Sequence, residues 1–178
     1  PTNGLYWRMN SRRMESQLLR DSLLAFADQL DSTFGGPVLS HDQQPPRRSL
    51  YLRHSLGDQD KFLEMFDNAD VLACYRRSES IVPQQALAMS NSELSLSMAE
   101  RIANRIFADL KEPGRGKFIA AVFQTLLARP ATDEEANECE RFLAELDQLS
   151  APEESDPARG RTRLVHAILN HNDFITIR

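Results

Sequence analysis

The sequence predicts a mainly α-helical fold: one bundle of about six or seven helices with a minor, short extended segment. Apolar residues recur at spacings of three and four over most of the chain, which is the period of a helix with one buried face. Proline and glycine separate these stretches, as is typical of connections between helices. The 178 residues, 41% of them hydrophobic, suffice for one core, so we expect a single helical domain over residues 1–178.

The first predicted helix follows Asn10 or Ser11, because either side chain can cap it by accepting a hydrogen bond from a free amide of the first turn. Gly35-Gly36-Pro37 predicts its end, since these residues disfavour helix continuation. The apolar stripe of this helix comprises Met14, Leu18, Leu19, Leu23, Phe26 and Leu30.

A less regular segment comes next. Residues 49–56 alternate between apolar and polar, with Leu50, Leu52 and His54 on one side, and this predicts a short extended segment. Asp58 is then expected to cap a short helix. The apolar residues of that helix are Phe62, Leu63 and Phe66.

The middle of the chain predicts two consecutive helices. Pro83 suits the first turn of the earlier one, where its missing N–H costs nothing. Ser90 and Glu93 form a capping-box pattern, so a second helix is predicted to begin there. Proline and glycine at 113–114 end it. We predict that its stripe belongs to the core; it consists of Leu94, Met98, Ile102 and Ile106.

Three further helices are predicted in the last third. Pro130 stops the first, and Thr132 with Glu135 forms a capping box that begins the second. Residues 150–160 are an acidic connector before the last helix, and residues 174–177 an extended tail. The three apolar stripes are Phe118, Ile119, Val122, Phe123, Leu126 and Leu127; Ala136, Cys139, Phe142, Leu143 and Leu146; and Leu164, Val165, Ile168 and Leu169.

The net charge of -5 is unevenly distributed. Residues 131–156 contain ten Asp or Glu and one Arg, a charge of -9, which leaves +4 on the rest of the chain. We interpret the acidic run as a solvated helix face and linker. Nucleic-acid binding requires a concentrated basic face, so this distribution argues against it. No apolar run approaches the roughly 18 residues of a membrane span, and the first residues lack the pattern of a signal peptide.

The cysteines and histidines predict no metal and no cofactor. Cys74 and Cys139 are 65 positions apart, which is neither a disulfide framework nor a zinc-ligand pattern. A single bridge between them is an alternative in an oxidising compartment, whereas the place of Cys139 on an apolar stripe favours a small core residue. His166 and His171 are poorly spaced to share a metal on one helix face, and no C-x-x-C-H motif is present to attach haem.

Residues 74–91 hold the strongest functional candidates, because a loop with a thiol and paired arginines precedes the helix at Pro83. Arg76 and Arg77 can bind a carboxylate, sulfate or phosphate through forked hydrogen bonds. Alternatively, Arg77 pins the loop by pairing with a carboxylate, and we favour this interpretation because structural ion pairs are common. The residues predicted to form structural ion pairs are Glu15, Arg20, Asp21 and Asp67.

No catalytic residue is predicted in this loop. A thiol near arginines can have a lowered pKa, but a cysteine enzyme also needs a base, and no histidine lies close in sequence to Cys74. The alternative is that the fold brings His54 to the thiol. Amides at helix ends usually satisfy backbone groups that the helix leaves open, with ligand contact as the alternative. The predicted binding residues are Cys74, Arg76, Arg77, Ser80, Gln85 and Asn91.

A set of short motifs, spread along the chain, occurs in this order in a known protein family. The motifs are Arg13-Met14-Glu15, Arg20-Asp21, Gly35-Gly36-Pro37, Arg48-Ser49-Leu50-Tyr51, Phe66-Asp67, Cys74, Arg77, Ser80, Pro83, Gln85-Ala86-Leu87, Asn91, Arg129-Pro130, Ala167-Ile168-Leu169-Asn170 and Asp173-Phe174. With them the chain resembles domain-of-unknown-function family 1553, which is abundant in planctomycetes. The resemblance covers nearly the whole chain, which we expect to begin partway through the family's domain. Ala69 replaces a usual proline, and Ile81-Val82 replace a usual threonine pair, so chemistry that depends on those hydroxyls is disfavoured here.

The resemblance implies an extracytoplasmic protein, in the periplasm or at the cell surface, in which this domain accompanies a cytochrome-c-like domain. The expected partners are therefore the neighbouring domains of the same protein, together with an anionic glycan or another protein. One functional hypothesis is a non-catalytic helical module for interdomain packing or for binding such a partner. The alternative is a part of a cytochrome-linked redox or polysaccharide-processing enzyme whose active site lies mainly in other domains.

Overall fold

A computed structural model describes residues 12–40, 45–66, 68–73, 82–149 and 157–177. Within these ranges the chain forms eight α-helices, one 3₁₀ turn and a two-stranded antiparallel ribbon, which confirms the mainly α-helical bundle. The elements are β1 (Arg12–Arg13), α1 (Ser16–Phe26), the 3₁₀ turn (Ser49–Tyr51), α2 (Lys61–Met65), α3 (Val82–Asn91), α4 (Glu93–Asp109), α5 (Arg115–Leu127), α6 (Asp133–Leu149), α7 (Pro157–Leu169), α8 (Asn172–Ile175) and β2 (Thr176–Ile177).

The core is organised around α4, which packs most extensively against α7. The predicted core stripe of α4 is confirmed, because Met98, Ile102 and Ile106 are buried and Leu94 packs at the edge of the core. The alanines at 99 and 103 are also fully buried. Their small side chains permit close helix packing and leave little free volume around Ile102.

The start of the first helix was predicted wrongly. Arg12 and Arg13 form β1, which pairs in antiparallel register with β2, and α1 begins only at Ser16. The backbone N–H of Met14 continues the pairing by donating to the Ile175 carbonyl at 2.9 Å. Partners more than 160 positions away in sequence therefore override the local helical pattern. Asn10 and Ser11, the predicted caps, lie outside the described residues.

The end of α1 also differs from the prediction. The helix stops at Phe26, and Asp28 adopts a left-handed conformation with a φ of 56°. Aspartate tolerates this conformation better than most residues, but neither glycine nor proline marks the position in sequence. Leu18, which the stripe assigned to the core, is 45% exposed, whereas Leu19 and Leu23 are fully buried.

Residues 49–56 are not a strand. They begin with the 3₁₀ turn, after which Leu52 forms an isolated parallel bridge with Leu39. Leu50 is consequently exposed while Leu52 is buried, although the alternation placed them on one side. The predicted apolar face of α2 is confirmed, but the helix is capped by Asp60 and not by Asp58. The Asp60 carboxylate accepts a hydrogen bond from the Leu63 backbone N–H at 3.0 Å.

The predicted break between α3 and α4 is confirmed, with one shift in the cap. Ser92, and not Ser90, caps α4 by accepting a hydrogen bond from the Ser95 N–H. The predicted capping box of α6 is confirmed in both directions. The Thr132 N–H donates to Glu135 Oε2 at 2.8 Å, and the Glu135 N–H donates to Thr132 Oγ1 at 3.2 Å.

The C-terminal elements have other bounds than the sequence predicted. The helix α7 starts at Pro157, so the last four positions of the predicted connector are helical, and residues 150–156 lie outside the described ranges. The one helix that was not predicted is α8. His171 caps it by accepting a hydrogen bond from the Asp173 N–H at 3.0 Å, and only Thr176 and Ile177 of the predicted tail are extended.

Candidate functional site

The predicted central loop falls mostly outside the described residues. This applies to Cys74, Arg76, Arg77 and Ser80, and also to Asp67. Anion binding by the paired arginines, and the alternative pinning role of Arg77, therefore stay predictions.

The two predicted amides of α3 occupy different environments. Gln85 is buried, and its Oε1 accepts a hydrogen bond from Arg13 Nη1, which ties α3 to β1. Asn91 is exposed at the last position of α3. Asn170 has the role expected of an amide at a helix end, because its Nδ2 donates to the His166 carbonyl at the end of α7, at 3.0 Å.

Arg20 and Asp21 fasten the segment after residue 44 onto α1. The Arg20 side chain is 3% exposed, and it donates to the carbonyls of Pro45 at 2.7 Å and Arg47 at 2.9 Å. Burial lowers its pKa, although from a value so high that the guanidinium stays protonated. The Asp21 carboxylate accepts from the backbone N–H of Ser49 at 2.8 Å and from its hydroxyl at 2.6 Å. The two residues are also in contact with each other, with 3.7 Å between Arg20 Nη1 and Asp21 Oδ1.

Arg47, which the sequence did not single out, holds the Gly-Gly-Pro loop. Its guanidinium donates to the carbonyls of Thr33 and Gly35, and it stacks 3.9 Å from the centre of the Tyr51 ring. The Gly35 N–H in turn donates to the Tyr51 hydroxyl oxygen at 2.9 Å. Gly35 and Gly36 have φ values of 78° and 102°, a left-handed conformation that favours glycine. The motif therefore shapes a loop beside the 3₁₀ turn and does not end a helix.

Two neighbouring cavities lie between these loops and the helices. The α4 cavity, about 400 Å³, is bounded by the start of α4, by α2 and by Arg20. The α1 cavity, about 340 Å³, is bounded by α1, the segment at 52–54 and Asn68. Leu52 and Asp60 line both, so the two cavities share a wall, and we call them the paired cavities.

The paired cavities combine charged walls with apolar surface. In the α4 cavity the apolar part comes from Leu52, Phe62 and Leu94. Its charged residues are Arg20, Asp58, Asp60, Lys61 and Glu93, a formal charge of -1. The charged residues of the α1 cavity are Glu15, Arg53 and Asp60, also a formal charge of -1.

A second polar cluster joins the C-terminal helices. Arg129 donates to Glu135 through both terminal nitrogens at 2.8 and 2.7 Å, and to Asp173 Oδ2 through Nε at 3.0 Å and Nη2 at 2.9 Å. These bonds join the end of α5 to the start of α6 and to α8. They raise the pKa of Arg129 and, with the Thr132 N–H, lower the pKa of Glu135 to about 2. We interpret this cluster as structural, because the guanidinium donors serve elements of the fold.

Cys139 lies in the core, as its place on the α6 stripe predicted. Burial raises the pKa of its thiol, which disfavours the reactive thiolate. Among the described residues no group of three or more His, Cys, Asp or Glu side chains is arranged to hold a metal ion. None of the described helices is both long and apolar enough to cross a membrane.

Fold and site together define a helical bundle with a core around α4 and α7 and with the paired cavities beside α1 and α2. Over residues 1–143 the sequence matches the family described as "Protein of unknown function (DUF1553)", and the chain belongs to that family. The matched region contains the paired cavities, the Arg20–Asp21 contact and the Arg47 loop, whereas α7 and α8 follow it. No curated protein and no solved structure matches the chain.

Proposed function

We propose that this chain is a non-catalytic binding module of a larger extracytoplasmic protein, and that it holds a carbohydrate in the paired cavities. The observation that supports this most directly is the wall shared by two cavities of about 400 and 340 Å³, since adjoining compartments suit successive residues of an oligosaccharide. A sugar presents hydroxyl groups at its edge and C–H groups on its faces. It therefore matches cavities that combine charged and polar side chains with apolar surface.

Binding, as opposed to catalysis, is supported by how the polar groups of the walls are used. Asp60 caps α2, Ser92 caps α4, and the Arg20 guanidinium donates to two backbone carbonyls. Such groups are held by the fold in one orientation, so a ligand need not pay for ordering them. Held in this way, they position a ligand more readily than they exchange protons with it.

The charge of the cavities favours a neutral glycan. Each has a formal charge of -1 from its lining residues, and a carboxylated ligand would meet like charges there. Binding of an anionic glycan depends instead on Arg76 and Arg77, which lie outside the described residues. The two ligand types therefore belong to different parts of the chain, and one experiment separates them.

That experiment is a calorimetric titration with cellohexaose, xylohexaose and mannohexaose as neutral probes and hexagalacturonic acid as the anionic probe. Binding of a neutral probe is expected, and Lys61→Ala at the α4 cavity should weaken it. Lys117→Ala on α5, outside the cavities, is the matched control and should leave affinity unchanged. Failure of all four probes to bind at millimolar concentration would overturn the proposal. Binding of hexagalacturonic acid alone, lost in an Arg76→Ala/Arg77→Ala variant, would move the site to the central loop.

Interdomain packing is a second candidate, and the distribution of exposed apolar side chains favours it. The described residues after Leu96 expose no large hydrophobic side chain, whereas the described residues up to and including Leu96 expose nine. Phe34, 89% exposed, and Leu72, 82% exposed, are the extremes. Exposed apolar surface often marks an interaction site, and we propose a neighbouring domain of the same protein, such as the cytochrome-c-like domain, as the partner.

Crosslinking mass spectrometry on the full-length protein tests this second candidate. A Phe34→Ser/Leu72→Ser variant should remove crosslinks between this domain and its neighbour while the far-ultraviolet circular dichroism stays unchanged. Unaltered crosslinks would contradict a packing role for this surface. Membership of a cytochrome-linked redox or polysaccharide-processing enzyme stays a prediction, and an intact redox or hydrolytic activity in the full-length protein would be its test.

A further inference from the structure

We infer that the chain has a second binding site, in a cavity beside α7, and that this site takes a small aromatic carboxylate whose charge Arg161 balances. The cavity has a volume of about 310 Å³ and is bounded by α4, α5, α6 and α7; we call it the α7 cavity. The described residues that line it differ from those that line the paired cavities. The inference is therefore independent of the proposed carbohydrate binding.

The walls of the α7 cavity include two aromatic rings and aliphatic surface. Phe107 of α4 and Phe118 of α5 lie edge to face, with 6.4 Å between their ring centroids and 65° between the ring planes. Leu143 of α6 and Pro157 of α7 supply aliphatic surface. Such walls suit a flat apolar body, because aromatic rings pack well in edge-to-face and offset arrangements. The volume is near the lower end of the roughly 300–1,000 Å³ of ligand pockets, so the ligand is small.

Arg161 brings a positive charge to this cavity. Its guanidinium stacks on the Phe107 ring, with Cζ 3.9 Å from the ring centroid. Among the described residues, its Nε is fully covered and has no hydrogen-bond partner, whereas the two terminal nitrogens are not fully covered. The polar surface that Arg161 offers to a ligand is therefore the edge formed by Nη1 and Nη2. Two such nitrogens can donate parallel hydrogen bonds to the two oxygens of a carboxylate.

The other charges of the α7 cavity compensate each other. Arg115, at the start of α5, donates to the Asp147 carboxylate on α6. The charged lining residues, two arginines and one aspartate, sum to a formal charge of +1, whereas each of the paired cavities has a formal charge of -1. An anion is therefore attracted to the α7 cavity and not to the paired cavities.

The start of α5 adds to this preference. Gly114, the residue before the first turn of α5, lines the cavity, and as a glycine it offers the helix no side-chain cap. The first N–H groups of a helix have no partner within the helix, and together with the helix dipole they favour a nearby negative charge. A carboxylate that pairs with Arg161 in this cavity gains from both sources of positive potential.

A calorimetric titration with phenylpropionate and two related probes tests the inference. Phenylpropionamide has the same shape but lacks the charge, and propionate keeps the charge but lacks the ring. Phenylpropionate should bind, and each of the other probes should bind about tenfold or more weakly, because each forgoes one set of contacts. Failure of phenylpropionate to bind at millimolar concentration, or equal binding of the amide or of propionate, would overturn the inference.

The decisive variant is Arg161→Met. Methionine keeps an unbranched apolar side chain that can cover Phe107, and it removes the charge and the donors. We expect a loss of affinity for phenylpropionate of about tenfold or more. Arg163→Met, an equal change of charge at an exposed position of the same helix, is the matched control and should bind as the wild type does. Unchanged affinity in Arg161→Met, or equal losses in the two variants, would contradict the role of Arg161.

A measurement on the wild type protects the test against an unstable variant. In protein with ¹³C-labelled leucine methyl groups, the Leu143 signals should shift on saturation with phenylpropionate. The signals of Leu87, which is exposed on α3, should stay in place. Binding that leaves the Leu143 signals unmoved would show that the ligand lies elsewhere and would overturn the inference. None of these outcomes depends on whether the paired cavities bind a sugar.

Discussion

Replacement of Glu135 by glutamine tests the Arg129 cluster quantitatively. The change removes one negative charge but keeps a side-chain oxygen that can still accept from the Thr132 N–H. A pKa lowered from 4.5 to about 2 corresponds to about 3.4 kcal/mol at roughly 1.36 kcal/mol for each factor of ten. Glu135 is 27% exposed, and solvent screens part of this energy. We therefore expect Glu135→Gln to lower the free energy of unfolding by about 1–2 kcal/mol at pH 7.

The pH dependence of that loss is the sharper test. The pKa of Glu135 is lower in the folded than in the unfolded chain. Its stabilising effect is therefore complete above pH 4.5 and is lost as the pH falls through the folded value of about 2. Carboxylates far from Arg129 contribute equally to both proteins, so their effects cancel in the difference. The gap in unfolding free energy between wild type and Glu135→Gln should thus be constant from pH 7 to 5.5 and should shrink between pH 4.5 and 3.

Urea unfolding followed by circular dichroism at a series of pH values measures this gap. Glu138→Gln is the matched control on the same helix. Among the described residues, Glu138 pairs with the exposed Arg141 one turn away, a kind of pair that contributes little. A gap for Glu135→Gln that does not change with pH, or that equals the gap for Glu138→Gln, would refute the assignment of Arg129 as a structural clamp.

Two further substitutions test the core and the Arg20 contacts. Ile102→Ala should lower the free energy of unfolding in urea by about 2–5 kcal/mol, toward the upper end because its buried neighbours cannot move to fill the cavity. Leu96, on the same helix, is 46% exposed, so Leu96→Ala should lower this free energy by less than about 1 kcal/mol. Equal losses would mean that the core face of α4 is assigned wrongly. Arg20→Ala should lower the free energy of unfolding by about 1.5–3 kcal/mol, because the Pro45 and Arg47 carbonyls lose their charged donor. Arg20→Lys should recover only part of this, because an ammonium cannot reproduce the planar fork. The control is Arg48→Ala, which removes an exposed partner of Asp21. A loss of stability equal to that of Arg20→Ala would contradict the role of Arg20 in fastening the segment after residue 44 onto α1.

The helical part of the fold was predictable because its signals are local. The four-residue repeat through Ile102 defines a buried stripe whatever the helix packs against. The capping box of Thr132 and Glu135 needs only residues three positions apart, and it occurs as predicted. Cys139 could be placed in the core on the same grounds, since the period of α6 assigns its face.

The candidate site was much less predictable. Asn68, which lines the α1 cavity, has no distinctive neighbours in sequence. The residue that orients its side chain, Gln17, is 51 positions away. The sequence analysis directed attention to Arg76 and Arg77 because adjacent charges are visible in a sequence. It passed over Arg47, whose partners at Thr33 and Gly35 come close only through the loop that the two glycines allow. One signal could have suggested Arg47: it directly precedes the Arg48-Ser49-Leu50-Tyr51 motif, which follows Gly35-Gly36-Pro37 closely in sequence. Both motifs are among those by which the chain resembles the family.

By itself, the sequence determined the helical class, most helix positions, the core stripe of α4 and the family, because these depend on periodicity and motifs within short stretches. Only the tertiary structure decided that Arg12 and Arg13 form a strand with Thr176 and Ile177, and that Asp28 ends α1. It also decided that Asp60 lines two cavities at once. The strand and the placement of Asp60 depend on groups brought together from distant positions, where hydrogen bonding and burial outweigh local preference.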